Sequence, residues 1–168
     1  VSGSHEAVEQ TRLHLVKDDV ICKQLHTSHA FHSPMMDPVV EPFRDVVASI
    51  KLNPPVIPVM STATAQWLSD HEATDPGYWA SHLRKPVRFA EGIKSLWNDK
   101  SALVLLECGP RNTASMLARQ QSTDPEKQIA VPSLSDNSDH EAPCITMLSA
   151  LAQWRMAGID PAWNRLHL

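Results

Sequence analysis

The stretch Ala102-Leu103-Val104-Leu105-Leu106-Glu107-Cys108-Gly109-Pro110 decides the fold class. An unbroken apolar run of strand length reads as a buried parallel strand, because such strands are covered on both faces. Gly109-Pro110 turns the chain. Thr113 to Gln121 then reads as helix, Ser122 to Lys127 as a polar loop, and Ile129 to Leu134 as a second strand. Strands alternating with helices imply α/β architecture.

Towards the N-terminus, Phe89, Ile93, Leu96 and Trp97 trace one helical face after Pro86. Asp75-Pro76 is a helix start, with Asp as cap and Pro at the first position, running to about Leu83. Asp70 to Thr74 reads as a polar loop and Val56 to Thr62 as a strand with Pro58 near an edge or a strand end, because proline cannot donate to a ladder. Val39, Phe43, Val46, Val47 and Ile50 mark the expected buried face of a helix that must hold Pro38 and Pro42 in its first turns or kink. Val20 to Leu25 reads as a short strand. His5 to Lys17 reads as a helix capped by Ser4, with Glu6 in its first turn. On the C-terminal side, Asp136 to Glu141 is a polar loop. Pro143 to Ala157 is an amphipathic helix closed by Gly158.

Composition narrows the function classes. With 168 residues the chain fits one ordinary domain. A net charge of −4 with scattered Lys and Arg gives no footprint for nucleic acid. No apolar stretch approaches the ~20 residues that cross a bilayer. Cys22, Cys108 and Cys144 form no C-x-x-C pair, so neither a disulfide framework nor a cysteine zinc site is expected. A reducing cytoplasm is the expected location. The opening Val1-Ser2-Gly3 reads either as the interior of something longer or as an expression boundary.

The densest chemistry is Ser28-His29-Ala30-Phe31-His32-Ser33-Pro34, between an expected strand and an expected helix. His26, His29 and His32 are spaced by three. A metal would need them stacked on a helix, and the Ser, Thr and Pro around them oppose one. Ordinary loop histidines are one alternative. A single histidine acting as general base is another, since imidazole titrates near neutrality. A base for acyl transfer needs a nucleophile, and the G-x-S-x-G elbow is absent. Cys108 could stand in as an elbow thiol paired with His32, but is read first as a small buried filler. Trp79, Trp97 and Trp154 fall in expected helices and read as packing anchors. Arg84, Lys85 and Arg88 form a small basic cluster, a solvated face or a dock for an acidic partner.

Five phrases in order resemble polyketide-synthase acyltransferase domains, a family that includes the malonyl-CoA:acyl carrier protein transacylases. They are His29-Ala30-Phe31-His32-Ser33-Pro34-Met35-Met36, Pro58-Val59-Met60-Ser61-Thr62, Tyr78-Trp79-Ala80-Ser81-His82-Leu83-Arg84 followed by Pro86-Val87-Arg88-Phe89, Leu106-Glu107-Cys108-Gly109-Pro110, and the ending from Trp154 to Trp163. The resemblance implies part of an α/β-hydrolase-like large subdomain plus the end of a ferredoxin-like small one. Residues 1–26 would end the small subdomain, 27–135 would be the C-terminal part of the large one, and 136–168 the final helix and the start of a linker.

It also implies the chemistry. A serine takes the acyl group from acyl-CoA and passes it to the phosphopantetheine thiol of an acyl carrier protein, with no covalently bound cofactor. His32 would be the general base, and the backbone carbonyl at His82 would orient its ring. His29 and Phe31 would set substrate specificity. The H-A-F-H reading implies malonyl-CoA, because a bulky ring beside the base leaves little room for an α-methyl. The nucleophile elbow, the oxyanion-hole glutamine and the carboxylate-pairing arginine of the family have no match here. The resemblance therefore implies that the chain works with an upstream half of the same domain and with neighbouring synthase domains, with no nucleic-acid or membrane partner. The rival readings are a thiol hydrolase using Cys108 and His32, and a non-catalytic interaction module.

Overall fold

The computed structural model describes residues 1–25, 27–99, 103–135 and 142–165. His26, Ala102, the expected loop from Asp136 to Glu141 and the last three residues of the tail lie outside the described residues. The chain divides into two compact units, 1–88 and 89–168.

The first unit is helical. Helix α1 spans His5–Lys17, and the Ser4 side chain accepts from the Ala7 amide, as its sequence predicts. None of its residues is buried. The expected strand Val20 to Leu25 has no ladder partner among the described residues, and Ile21 is exposed. β-propensity without a neighbouring strand yields only extended coil. A short 3-10 turn, Pro34–Met36, follows the histidine loop and leads into α2, Asp37–Ala48. Pro38 sits in the first turn and Pro42 inside the helix. Of the expected apolar face only Val47 is buried; Val39, Phe43, Val46 and Ile50 are exposed.

The expected strand Val56 to Thr62 reduces to one antiparallel bridge, Met60 with Trp67. Asp70 to Thr74 is helix α3 rather than loop. Its cause is a capping box: the Ser69 hydroxyl accepts from the Glu72 amide while the Glu72 carboxylate accepts from the Ser69 amide. Helix α4, Pro76–Ser81, starts as Asp75-Pro76 predicts, with the Asp75 carboxylate accepting from Gly77 at 2.8 Å. It ends two residues before the expected limit. Helices α2 and α4 pack together.

The second unit is built on a parallel pair. Helix α5 spans Phe89–Asp99, β1 Leu103–Glu107, α6 Thr113–Arg119 and β2 Gln128–Pro132. Strands β1 and β2 are parallel, with Leu105 opposite Ala130. Ile93, Trp97, Ala118 and Ala130 form the core, joined by Phe89, Leu96 and Leu105. The predicted face of α5 is thus the one buried. Burying these side chains stabilises the unit by roughly 1.5–3 kcal/mol for each large one. Helix α7, Ala142–Met156, ends on Gly158 at φ +85°. Gly158 N–H donates to the Arg155 carbonyl and Ile159 N–H to the Trp154 carbonyl, which completes the glycine cap read from the sequence. Among the described residues no helix is long and apolar enough to cross a membrane.

Candidate active site

The histidine loop lies in the first unit. Ser33 anchors it: its hydroxyl donates to the Ala30 carbonyl at 2.7 Å, accepts from the Met35 amide, and is buried. Met36 is buried one turn on. Pinned from this side, the loop places His32 at φ +63°, the left-handed region. Histidine occupies it more often than most residues, yet at a cost in strain. The strain is held by a backbone bond, His32 N–H to the Leu83 carbonyl at 2.8 Å.

The His32 ring is exposed, and its Nδ1 lies 2.7 Å from the Lys85 carbonyl oxygen. A carbonyl only accepts, so the ring hydrogen is on Nδ1 and Nε2 carries the lone pair. The orienting carbonyl therefore belongs to Lys85, not to His82 as the resemblance implied. The reason is local. Helix α4 ends at Ser81, and the carbonyls of Trp79, Ala80 and Ser81 are taken by the amides of His82, Leu83, Arg84 and Lys85. Lys85 precedes Pro86, and a residue before proline is pushed out of the helical region. The chain leaves the turn that follows α4 there and presents a carbonyl to His32.

The His82 imidazole sits in an aromatic box. Tyr78 meets it edge-on with ring centres 4.8 Å apart, and Trp79 stacks on it at 5.7 Å. Burial pushes its pKa down, and the positive charges of Lys85 and His32 act in the same direction. The Tyr78 hydroxyl donates to the Ser61 hydroxyl, which also accepts from the Ala63 and Thr64 amides. The Arg88 amide donates to Thr62 and its guanidinium to Thr64. Loop 61–66 is thereby tied to both ends of the segment that carries the two carbonyls.

His29 and Phe31 flank the base. The His29 Nδ1 is 3.0 Å from the Ser28 hydroxyl, and its ring meets Phe31 edge-on at 6.0 Å. The Phe31 and His32 ring centres are 6.5 Å apart. Among the described residues no three His, Cys, Asp or Glu side chains come together as a metal site. The basic cluster is partly consumed: Arg84 pairs with Asp37 at 2.7 Å and Arg88 with loop carbonyls.

In the second unit Cys108 is exposed rather than buried. Strand β1 ends at Glu107, so Cys108 stands past the sheet. Glu107 is the residue sequence reading passed over. Its carboxylate accepts from the Ala114 amide and from the amide and hydroxyl of Ser115, at 2.7 to 3.0 Å. Burial alone would raise its pKa, but these donors outweigh it and hold the carboxyl below its usual range. The group closes the N-terminus of α6, where negative charge is favoured.

The family described as "Acyl transferase domain" matches residues 1–161. The chain belongs to the acyl transferase domain family. Polyketide synthase GfsB of Streptomyces halstedii is 32% identical over 146 residues, which cover 84% of this chain and 3% of the synthase. Mycoketide-CoA synthase of Mycobacterium tuberculosis is 32% identical over 164 residues, 98% of this chain and 4% of that protein. Among solved structures, the acyl transferase domain of SpnD, in complex with 2-(pent-4-yn-1-yl)malonyl, superposes with a TM-score of 0.83 at 33% identity; the match covers 93% of this chain and 38% of that one. The acyltransferase domain from the second module of the salinomycin polyketide synthase gives 0.81 at 32% identity, covering 96% of this chain and 36% of that one. The chain thus spans a small part of the synthases it resembles and little more than a third of these two solved acyl transferase domains.

Proposed function

We propose that this chain is the base-bearing part of an acyltransferase that moves a malonyl-type unit from acyl-CoA to the phosphopantetheine thiol of an acyl carrier protein. The unit passes through an ester on a serine outside this chain. The observation that carries this reading is the 2.7 Å bond from His32 Nδ1 to the Lys85 carbonyl, which leaves Nε2 as an exposed proton acceptor. In the first half-reaction the serine hydroxyl gives its proton to Nε2 as its oxygen attacks the thioester carbonyl. The imidazolium hands that proton to the departing CoA sulfur. In the second half, Nε2 takes the carrier thiol proton, the sulfur attacks the ester, and the proton returns to the serine oxygen. The Lys85 carbonyl does for this ring one thing that a carboxylate does in a Ser-His-Asp triad: it fixes the orientation and the tautomer.

His29 and Phe31 stand beside the base, and the Phe31 ring favours malonyl over an α-methyl substrate by bulk. Residues 1–26 belong to the end of a ferredoxin-like small subdomain, and the rest up to 135 to an α/β-hydrolase-like large one. The test joins this chain to the upstream half of its acyltransferase domain and offers radiolabelled malonyl-CoA. A malonyl ester on serine that forms with His32 and not with His32→Ala is expected. Equal labelling of both forms contradicts the reading.

A further inference from the structure

The His82 side chain is costly for what packing alone requires. Its Nε2 is buried and has no hydrogen-bond partner among the described residues. An unpaired buried nitrogen destabilises a fold, so the planar ring is kept there against a cost. Yet His82 stands at the head of the turn 82–85, directly after α4. Two carbonyls of that turn hold His32: Leu83 takes the backbone N–H and Lys85 takes the ring Nδ1–H. The planes of Tyr78 and Trp79 fix the His82 ring, and Tyr78 is itself fixed through Ser61.

We propose that the imidazole of His82 is a positioning residue for His32: packed against the paired rings of Tyr78 and Trp79, it sets the turn that brings the Leu83 and Lys85 carbonyls to the backbone and ring of His32. This rests on the reading of His32 as the base. The inference concerns the ring, which the family resemblance leaves without a role. The charged groups acting on His82 are Lys85 and His32. From α2, Asp37 is paired with Arg84 and Glu41 with Arg44. No carboxylate of α2 is left over from these pairs, among those lining the cleft beside the turn, to welcome a proton on His82. Protonation would place a second positive charge beside Lys85.

Long-range 1H–15N NMR of the imidazoles of this chain reads the outcome directly. Wild-type His32 is expected as a single tautomer with its hydrogen on Nδ1. His82→Ala, which empties the box, is expected to give a mixture of both tautomers, and His82→Phe, which refills it, to restore the single form. In the complete acyltransferase, His82→Ala should lower kcat about 10- to 100-fold with KM for acyl-CoA little changed, as for a misplaced catalytic group. A folded His82→Ala chain with the wild-type His32 tautomer overturns the proposal. Should that variant not fold, His82→Leu decides, because it fills the volume without a planar ring: a mixture of His32 tautomers supports the proposal, and the wild-type single form overturns it. A wild-type His32 with its hydrogen on Nε2 sinks the base reading itself, and is seen before any substitution is made.

Discussion

The two units handle polar groups in opposite ways. In 89–168 the notable carboxylate, Glu107, is spent within its own unit, on the amides and hydroxyl that open α6. In 1–88 the notable imidazole, His32, has one nitrogen tied to a carbonyl, the other without a partner among the described residues, and its backbone in a left-handed conformation. A satisfied network stabilises. A half-satisfied and strained group held by its surroundings marks a place where stability has been given up for chemistry. Substitutions in the second unit should therefore move melting curves, and those around His32 should move rates.

The largest expected effect is on the core of the second unit. Trp97→Ala removes its most buried aromatic ring. It should cost about 3–5 kcal/mol, read by denaturant unfolding. A loss below 1 kcal/mol would mean this unit is not built around α5. Smaller is Glu107→Gln, which keeps the shape but removes the charge from the α6 N-terminus, for about 1–2 kcal/mol near neutral pH. The Glu107 pKa is lowered in the folded state, so its contribution is present above the ordinary value of 4.5 and is lost as pH falls through the folded value. Stability measured across that window should slope in wild type more than in the variant. Equal slopes would show that the carboxylate is not the cap it resembles. The smallest effect is Phe31→Ser, which should shift the methylmalonyl-to-malonyl loading ratio about 10-fold, the worth of one methyl in a pocket. The melting curve should not move. An unchanged ratio refutes the steric account.

Legibility in the sequence follows the range of the interaction. Ser4, Asp75-Pro76 and Gly158 announce helix ends because caps act within a few residues, and all three stand where read. The α5 face and the β1 strand are legible because their periodicity matches what they bury. Val20 to Leu25 and Val56 to Thr62 have strand composition, but a strand exists only with a partner, and composition does not carry that. The capping box of α3 was legible in Ser69 and Glu72, but the polar character of the segment masked it. His32 could be singled out as a candidate base from the sequence. Its orienting group could not, since every residue owns a carbonyl. Only the pre-proline position of Lys85 hints that its carbonyl leaves the turn after α4 free to accept.

The account turns on separating the His32 ring from its backbone. Glycine at position 32 accepts φ +63° without strain, so His32→Gly removes the base and leaves the loop in place. Acyl transfer by the complete domain carrying this substitution, measured with and without added imidazole, is the direct test. A folded variant whose transfer is lost by about 10²–10⁴-fold and partly restored by free imidazole is the predicted result. Undiminished transfer without imidazole would contradict it.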